Sequence, residues 1–533
     1  MQEFDYVIVG AGAAGCVLAH RLSEDASVSV ALLEAGGSDR HPFVDMPKGL
    51  AKLMADPQRT WMYRAEPEAG NAFQNEEFWA RGRLMGGSSS INGMMYVRGQ
   101  PADFDEIAAQ SSDDWSWSHI GAAYKALEAH ELGGAETRGG SGPLKLSLAD
   151  RRNALSEAMI EAGVAMGLKR KLDVNAPEGD PTIGYASRTI WEGRRQSAAR
   201  AFIDPIRHRK NLTIITDALA DKVNFNGRCA SSVSVRMGAN QRVDIKARRD
   251  IILAGGAMAS PGILQRSGIG SGELLQRLGI PRVFENAQVG EHLIEHRGLM
   301  VQWKLRVPMS DNAEFAGLRL LGNVARYYLM RSGPMSSAAY EIGAWFKSQP
   351  SVPRPDVQFL VAPFSFDYAT NRTTLEKIPG MGIVGYPLRP TSRGSVHINS
   401  GDPHALPTLH PNYAATPEDR ALMIETLRLA RLYAATEPLQ KLIEVETFPG
   451  PQCRSDEAVL EAYAKYASCG YHAVGTCRMG KDEYSVVDPA LRVRGVEGLR
   501  VVDTSIFPQM PSGNTNGPTM AIAWRAADVI KRG

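Results

Sequence analysis

Three glycines between an apolar run and an amphipathic stretch are the first residues whose type and spacing point to chemistry. Residues 4–9 are apolar and rich in β-branched side chains, the composition of a buried parallel strand. Gly10-Ala11-Gly12-Ala13-Ala14-Gly15 follows, where such a strand must turn into a helix. Gly10 permits the tight turn, Gly12 lets a pyrophosphate approach the backbone, and Gly15 lets the helix pack closely on the sheet. The phosphates would sit on unpaired N–H groups at the positive end of that helix. Glu34 closes the next apolar run, about 20 residues on, where a carboxylate binds ribose hydroxyls. The segment is expected to bind a dinucleotide, and these residues alone leave NAD and FAD both open.

Three further groups stand out. Residues 82–99 are rich in Gly and Ser, a loop able to bring backbone amides against a flat anionic or ring-shaped ligand. Glu341 stands beside Tyr340 and near Trp345, a grouping suited to a cation or a polar ring substituent. The competing reading is a buried glutamate paired with an arginine such as Arg306. His292 and His296 have the i, i+4 spacing of metal ligands, but a structural role is expected and no metal site is assigned.

The elements that must hold these residues follow from periodicity. A helix is expected near 115–130, with Ser118 as its N-cap, then a flexible Gly-rich loop over 133–142. Strands are expected at 212–215 and 250–253. From about 300 to 465 the pattern changes to alternating segments such as 357–361 and 395–398, the signature of a largely antiparallel sheet with one covered face. Residues 499–503 restore a buried strand, and 516–530 read as a closing helix. The fold class is therefore α/β, a Rossmann-like dinucleotide domain with an inserted antiparallel-sheet substrate domain. The expected division is 1–300 mainly dinucleotide-binding, 301–465 mainly substrate-binding, and 466–533 returning to the first domain. Segment 315–330 is apolar with Arg319 and Arg326 on one helical face, and is read as a packed amphipathic helix. Peripheral membrane contact is the less favoured alternative.

Composition narrows the class. A net charge of +2 over 533 residues offers no basic stripe for nucleic acid. The 5 cysteines are too few and too irregular for a disulfide framework, and no CxxC pair suggests zinc or a redox dithiol. No run approaches the ~20 apolar residues of a membrane span, and the first strand begins almost at once, so a cytoplasmic protein is expected.

The chain resembles the glucose–methanol–choline (GMC) oxidoreductases. The resemblance rests on the opening glycine motif and the 82–99 loop. It extends through Gly256-Ala257-Met258-Ala259-Ser260-Pro261, residues 471–480, and 502–505 with 512–519. It implies FAD as cofactor. By analogy Gly10, Gly12, Ala14 and Gly15 would hold the pyrophosphate, Glu34 the adenosine ribose, and Val223 the adenine region. Gly87, Asn92, Gly93, Met94 and Met95 would contact the isoalloxazine or its ribityl chain, with Asp503 near the ribityl–phosphate end and Asn516 and Thr519 at the pyrimidine edge. The resemblance also places Ala13, Ala35, Arg83 and Tyr471 among the cofactor-binding residues. Some relatives carry a covalent flavin on a histidine just before the position of Asn92. Ile91 stands there in this chain, so the flavin is expected to be non-covalent.

The family's catalytic pair maps to His472 and Asn516. Neutral imidazole can take the alcohol proton while a hydride leaves the carbinol carbon, and the Asn516 amide can donate to the developing alkoxide. The expected reaction is oxidation of a primary alcohol to an aldehyde, with oxygen or a quinone-like acceptor reoxidising the flavin. An aromatic or medium-chain alcohol dehydrogenase is preferred. A heteroaromatic (pyridoxine-like or furanic) alcohol oxidase and a non-redox FAD-containing hydroxynitrile lyase are the alternatives. Glu341 is the only candidate substrate residue outside the pair.

Overall fold

The computed structural model describes residues 3–149, 153–238, 241–368 and 374–533. Strand β1 (Glu3–Val9) is almost wholly buried and runs through Gly10 into helix α1 (Ala13–Leu22). β2 (Val30–Leu33), β3 (Leu212–Ile215), β4 (Ala218–Asn226), β5 (Cys229–Met237) and β6 (Gln241–Leu253) complete most of the first sheet. Its order is β3-β2-β1-β6-β5-β4, and strand Leu499–Val501 adds to β6. The β3-β2-β1-β6 core and the added strand are parallel, while β4, β5 and β6 form an antiparallel meander. Helices α2 (Gly256–Arg266), α3 (Gly317–Met330) and α4 (Asn516–Lys531) each contribute to the wall of one large cavity. α1 packs on α4 against the sheet, so the C-terminal helix closes the domain that the N-terminus opens.

The second large sheet is antiparallel except at one edge. Its order is Ile443–Phe448, Arg297–Leu305, Gly380–Pro387, Val357–Ala362, Ile342–Phe346, Thr182–Tyr185 and Lys169–Arg170, the last two parallel. Its inner face has its own apolar core, with Leu427, Ala430 and Tyr433 of helix Pro417–Ala434 packed against Phe359 and Ile383. Strand Thr182–Tyr185 thus brings part of the first three hundred residues into the second sheet. Ser395–His397 pairs instead with Thr408–His410, in a small four-stranded sheet with Thr60–Ala65 and Glu77–Gly82.

Local expectations meet the structure at most points. The helix near 117 spans Trp117–Leu127, but its N-cap is Ser116, with Ser118 Oγ hydrogen-bonded to Ser116 Oγ at 2.8 Å. The 315–330 helix forms as α3, yet it is not packed as expected. Only Tyr327 is fully buried, and Leu318, Leu321 and Leu329 are exposed. Among the described residues, no helix is long and apolar enough to cross a membrane.

The turn glycines divide by what a side chain would meet. Gly10 has φ +106°, and a Cβ on Gly15 would fall 1.8 Å from the Gly10 carbonyl oxygen. A Cβ on Gly12 would meet no protein atom within 4 Å. Gly15→Ala should therefore destabilise the protein with or without ligand, by about 1–3 kcal/mol for forced overpacking. Gly12→Ala should leave the ligand-free melting temperature near wild type and weaken dinucleotide binding. Equal melting temperatures for the two ligand-free variants would contradict this division.

Candidate active site

A cavity of about 1440 Å³ runs from the first sheet to the second. That exceeds the ~300–1,000 Å³ of ordinary ligand pockets and leaves room for a dinucleotide and a substrate together. At the first-sheet end its wall is built from Gly10, Gly12, Ala13 and Ala14 of the turn, then Glu34 and Ala35 after β2. Glu34 is buried; its two oxygens accept the N–H groups of Ala11 (3.0 Å) and Gly36 (2.9 Å). Burial pushes its carboxyl up to about 7 despite those bonds. Each oxygen keeps a further lone-pair direction for a ribose hydroxyl.

Helices α1, α2 and α4 all begin at this cavity, and none of their N-caps contributes a side-chain hydrogen bond. Helix starts carry unpaired N–H groups and partial positive charge. Three such ends on one cavity suit a ligand with phosphates and ring carbonyls. Asp503, on the cavity wall, ties the α2 start to the segment leading toward α4. Its Oδ2 accepts from Gly256 N (2.8 Å) and Ser260 Oγ (2.5 Å), and its Oδ1 accepts from Ser505 N (2.8 Å). Gly87 comes so near the turn that a Cβ there would lie 2.7 Å from Gly12 Cα.

The middle of the wall is the loop Asn92, Gly93, Met94, Met95. Met94 holds φ +64°, and its N–H is taken by Asn92 Oδ1 at 3.1 Å. Arg195, fully buried, fixes the loop by donating from Nη1 to Asn92 O (2.7 Å) and Oδ1 (2.8 Å). Burial and the nearby Arg200 charge lower its guanidinium to about 9. Nothing in the local sequence around Arg195 signals this brace, because its targets lie a hundred residues away. Asn516 and Thr519 at the start of α4 complete this part of the wall.

Four expected residues stand elsewhere. Gly15 is behind the turn, where it permits close packing on the Gly10 carbonyl. Arg83 lies off the wall with its guanidinium over Trp61 at 4.4 Å. Val223 is buried away from the cavity, its N–H donating to Ser267 Oγ at 2.8 Å, and the wall is Ala218, Leu219 and Ala220 instead. A register shift between Ala220 and Lys222 separates the two parts of β4. Glu341 does not line the cavity; it pairs with Arg188 at 2.9 Å, both side chains largely buried. The paired reading thus holds, with Arg188 in place of Arg306.

The second-sheet end holds His472, buried, with Tyr471 beside it at φ +62°. The Glu295 carboxylate grips the main chain here. It accepts the N–H of His472 (2.8 and 2.9 Å) and of His296 (2.8 Å), with Arg81 at 3.5 Å. Burial pushes Glu295 up to about 7, against Arg81 and those N–H bonds. Arg81 Nη1 also donates to the Tyr471 carbonyl at 2.6 Å.

Hydrogen bonds then dictate the tautomers. His296 Nε2 lies 2.8 Å from the Leu388 carbonyl, which only accepts, so Nε2 carries the proton. Burial pushes His296 down to about 4, so near neutral pH its Nδ1 is a bare lone pair. That nitrogen is 2.9 Å from His472 Nδ1, which must therefore donate. His472 Nε2 is then the unprotonated nitrogen, and Asn514 Nδ2 donates to it at 2.9 Å. Burial, with His296 and the Arg81 charge, holds His472 well below its ordinary value. The cavity wall thus includes a neutral imidazole whose basic nitrogen meets Asn514, itself on the wall. The sequence signals neither His296 nor Asn514 for this role, since His296 reads only as an i, i+4 partner of His292. His292 Nε2 meets Gln288 Oε1 at 2.8 Å and does not converge with it.

Beyond His472 the wall carries Tyr340, Leu360, Phe364, Phe366 and Tyr386, with Lys48, Asn312, Glu376 and Lys377 also lining the cavity. Tyr386 stacks on His296 at 4.7 Å. Its hydroxyl and Asn514 Oδ1 are buried with no hydrogen-bond partner.

A parallel sheet opened by a glycine turn, a second, mostly antiparallel sheet and a buried histidine on the shared cavity frame the site. Family profiles described as GMC oxidoreductase match residues 4–297 and 390–523, and the chain belongs to that family of FAD-dependent enzymes acting on CH–OH donors. It is 38% identical to an oxygen-dependent choline dehydrogenase of Ectopseudomonas mendocina, over 99% of this chain and 94% of that one. It is 37% identical to an alcohol dehydrogenase [acceptor] of Pseudomonas putida, over 99% and 96%. The crystal structure of pyridoxine 4-oxidase from Mesorbium loti superposes with a TM-score of 0.89 at 31% identity, covering 99% of both chains. The residues present fit FAD: the α1 and α4 starts, which no N-cap side chain covers, the open face of Gly12 and the Glu34 carboxylate share one cavity.

The Arg188 pair makes Glu341 a stability residue. Glu341→Gln should lower stability by about 1–3 kcal/mol, the cost of a weakened buried charged hydrogen bond. KM should not move. An increased KM with an unchanged melting temperature would return Glu341 to the substrate.

Proposed function

We propose that this enzyme oxidises a primary alcohol bearing an aromatic or medium-chain apolar group to the aldehyde. The observation that carries the reading is the neutral His472 imidazole on the cavity wall, its Nδ1 held by His296 and its Nε2 met by Asn514, which lines the same cavity. Bound non-covalently, FAD supplies the acceptor for the hydride that leaves the carbinol carbon. Oxygen or a quinone-like compound takes the electrons on. His472 Nε2 receives the hydroxyl proton as the C–H bond breaks, so proton and hydride leave the alcohol together as the carbonyl forms. The substrate hydroxyl takes the place of the Asn514 amide at Nε2. Asn516, at the start of α4, donates a hydrogen bond to the oxygen as it gains charge.

The apolar substrate class is supported by Tyr340, Leu360, Phe364, Phe366 and Tyr386 on the wall. The unpaired Tyr386 hydroxyl and Asn514 Oδ1 offer partners for one polar group on such a substrate. A cationic alcohol is less well served, because the Glu341 charge is already matched by Arg188. Ile91 offers no atom for a flavin bond.

His472→Ala should keep bound FAD and lose roughly 10²–10⁴-fold in anaerobic flavin reduction by alcohol, the worth of a positioned base. Asn516→Ala should lose about 10–10²-fold, for one hydrogen bond of about 1.5–3 kcal/mol to a charged oxygen. A near-normal rate for His472→Ala would overturn the assignment. Failure of any alcohol to bleach the wild-type flavin would favour lyase chemistry instead. On acid denaturation all the flavin should leave the precipitated chain.

A further inference from the structure

Helix α3 has two faces of different fate. Its inner side packs: Leu320, Val324 and Tyr327 meet Met46 and Met335. Its outer side does not, with Leu318 86%, Leu321 66% and Leu329 85% exposed and Tyr328 beside them. At 100° per residue these four side chains and Ala325 fall on one arc of the helix. Arg319 and Arg326 border that arc, and Arg331 follows at the C-terminus with its guanidinium 4.9 Å from the Tyr327 ring. The helix contains no acidic residue. The nearest acid before it, Glu314, accepts from the Asn323 side chain at 3.0 Å and lies 3.9 Å from Arg319.

We propose that the outer face of α3 docks on an anionic lipid surface. A face of leucines and a tyrosine, edged by arginine and free of acid, matches an interfacial helix whose apolar side enters the acyl boundary while cations meet lipid phosphates. Fourteen residues is too short to span a bilayer, so the helix lies in the interface plane. A second copy of the chain is a poorer occupant. It would offer the face two further arginines and no acid, since the helix itself contains none. The segment that exposes this face also lines the cavity through Phe315, Ala316 and Leu320. Docking therefore brings a wall of the cavity to the lipid surface. The docking itself does not depend on alcohol oxidation.

The test is flotation of the full-length flavin-loaded enzyme with phosphatidylcholine vesicles, with and without phosphatidylglycerol. Wild type should float with the anionic vesicles, and less so as salt rises. Leu321→Asp with Leu329→Asp should weaken this at least roughly tenfold, while flavin content and turnover of a water-soluble alcohol stay at wild-type levels. Arg319→Gln with Arg326→Gln should weaken anionic binding by roughly tenfold or more and leave the low affinity for neutral vesicles unchanged. Wild type remaining unbound to anionic vesicles would overturn the proposal. So would a dimer in sedimentation velocity that Leu321→Asp dissolves, since the face would then belong to a second copy. Flotation, flavin content and sedimentation are read without turnover, so this proposal and the reaction can fail separately.

Discussion

The contact between His296 and the Leu388 carbonyl governs what the cavity can do with a proton. It follows from sheet register. Strands Arg297–Leu305 and Gly380–Pro387 pair with Leu299 opposite Gly385, and extending that register past the strand ends sets His296 opposite Leu388. A main-chain carbonyl cannot change its role as acceptor, so the proton on His296 Nε2 is fixed by the fold itself. Each later bond, to His472 and then Asn514, has only one polarity left to it. The Glu295 carboxylate holds the two histidine-bearing segments together through their main-chain N–H groups. The second sheet therefore does more than enclose a substrate; it sets the tautomer of a residue delivered by the C-terminal segment.

The first sheet meets a different constraint. A dinucleotide needs backbone dipoles within contact distance, which requires loops with no side chains between them. The approach of Gly87 to Gly12 and of Gly15 to the Gly10 carbonyl satisfies that need. Three helix starts then supply the donors, and Asp503 locks the α2 start to the segment leading toward α4. The cavity wall joins this backbone-rich turn region to aromatic side chains such as Tyr340, Phe364 and Tyr386.

What the chain announces in advance is whatever depends on short-range pattern. The strand–glycine–helix opening, Glu34 and the closing helix from Asn516 all stand where periodicity and turn chemistry put them, and the 92–95 loop, named from the family resemblance, lines the cavity. His472 comes from a family motif, and the cavity wall does include it. Features set by long-range pairing are not legible. The wall residues of β4 are Ala218–Ala220 because a register shift separates them from Val223. The partner of Glu341 is Arg188, brought alongside by Thr182–Tyr185 joining the second sheet, and no local pattern forecasts that crossover. Amphipathicity locates α3 but says nothing about which face a fold will cover. Here the fold covers the Leu320, Val324 and Tyr327 side and leaves Leu318, Leu321 and Leu329 outside.

The central claim is that His472 rests as the neutral tautomer protonated on Nδ1, with Nε2 as the basic nitrogen. Nitrogen-15 NMR of the flavin-loaded enzyme, with histidine ring labels and His472 assigned by its alanine variant, reads this directly. The account predicts one protonated and one pyridine-like nitrogen on His472, with the proton on Nδ1, unchanged as pH falls through 6.5. A proton on Nε2, or an imidazolium already formed near neutral pH, would contradict it.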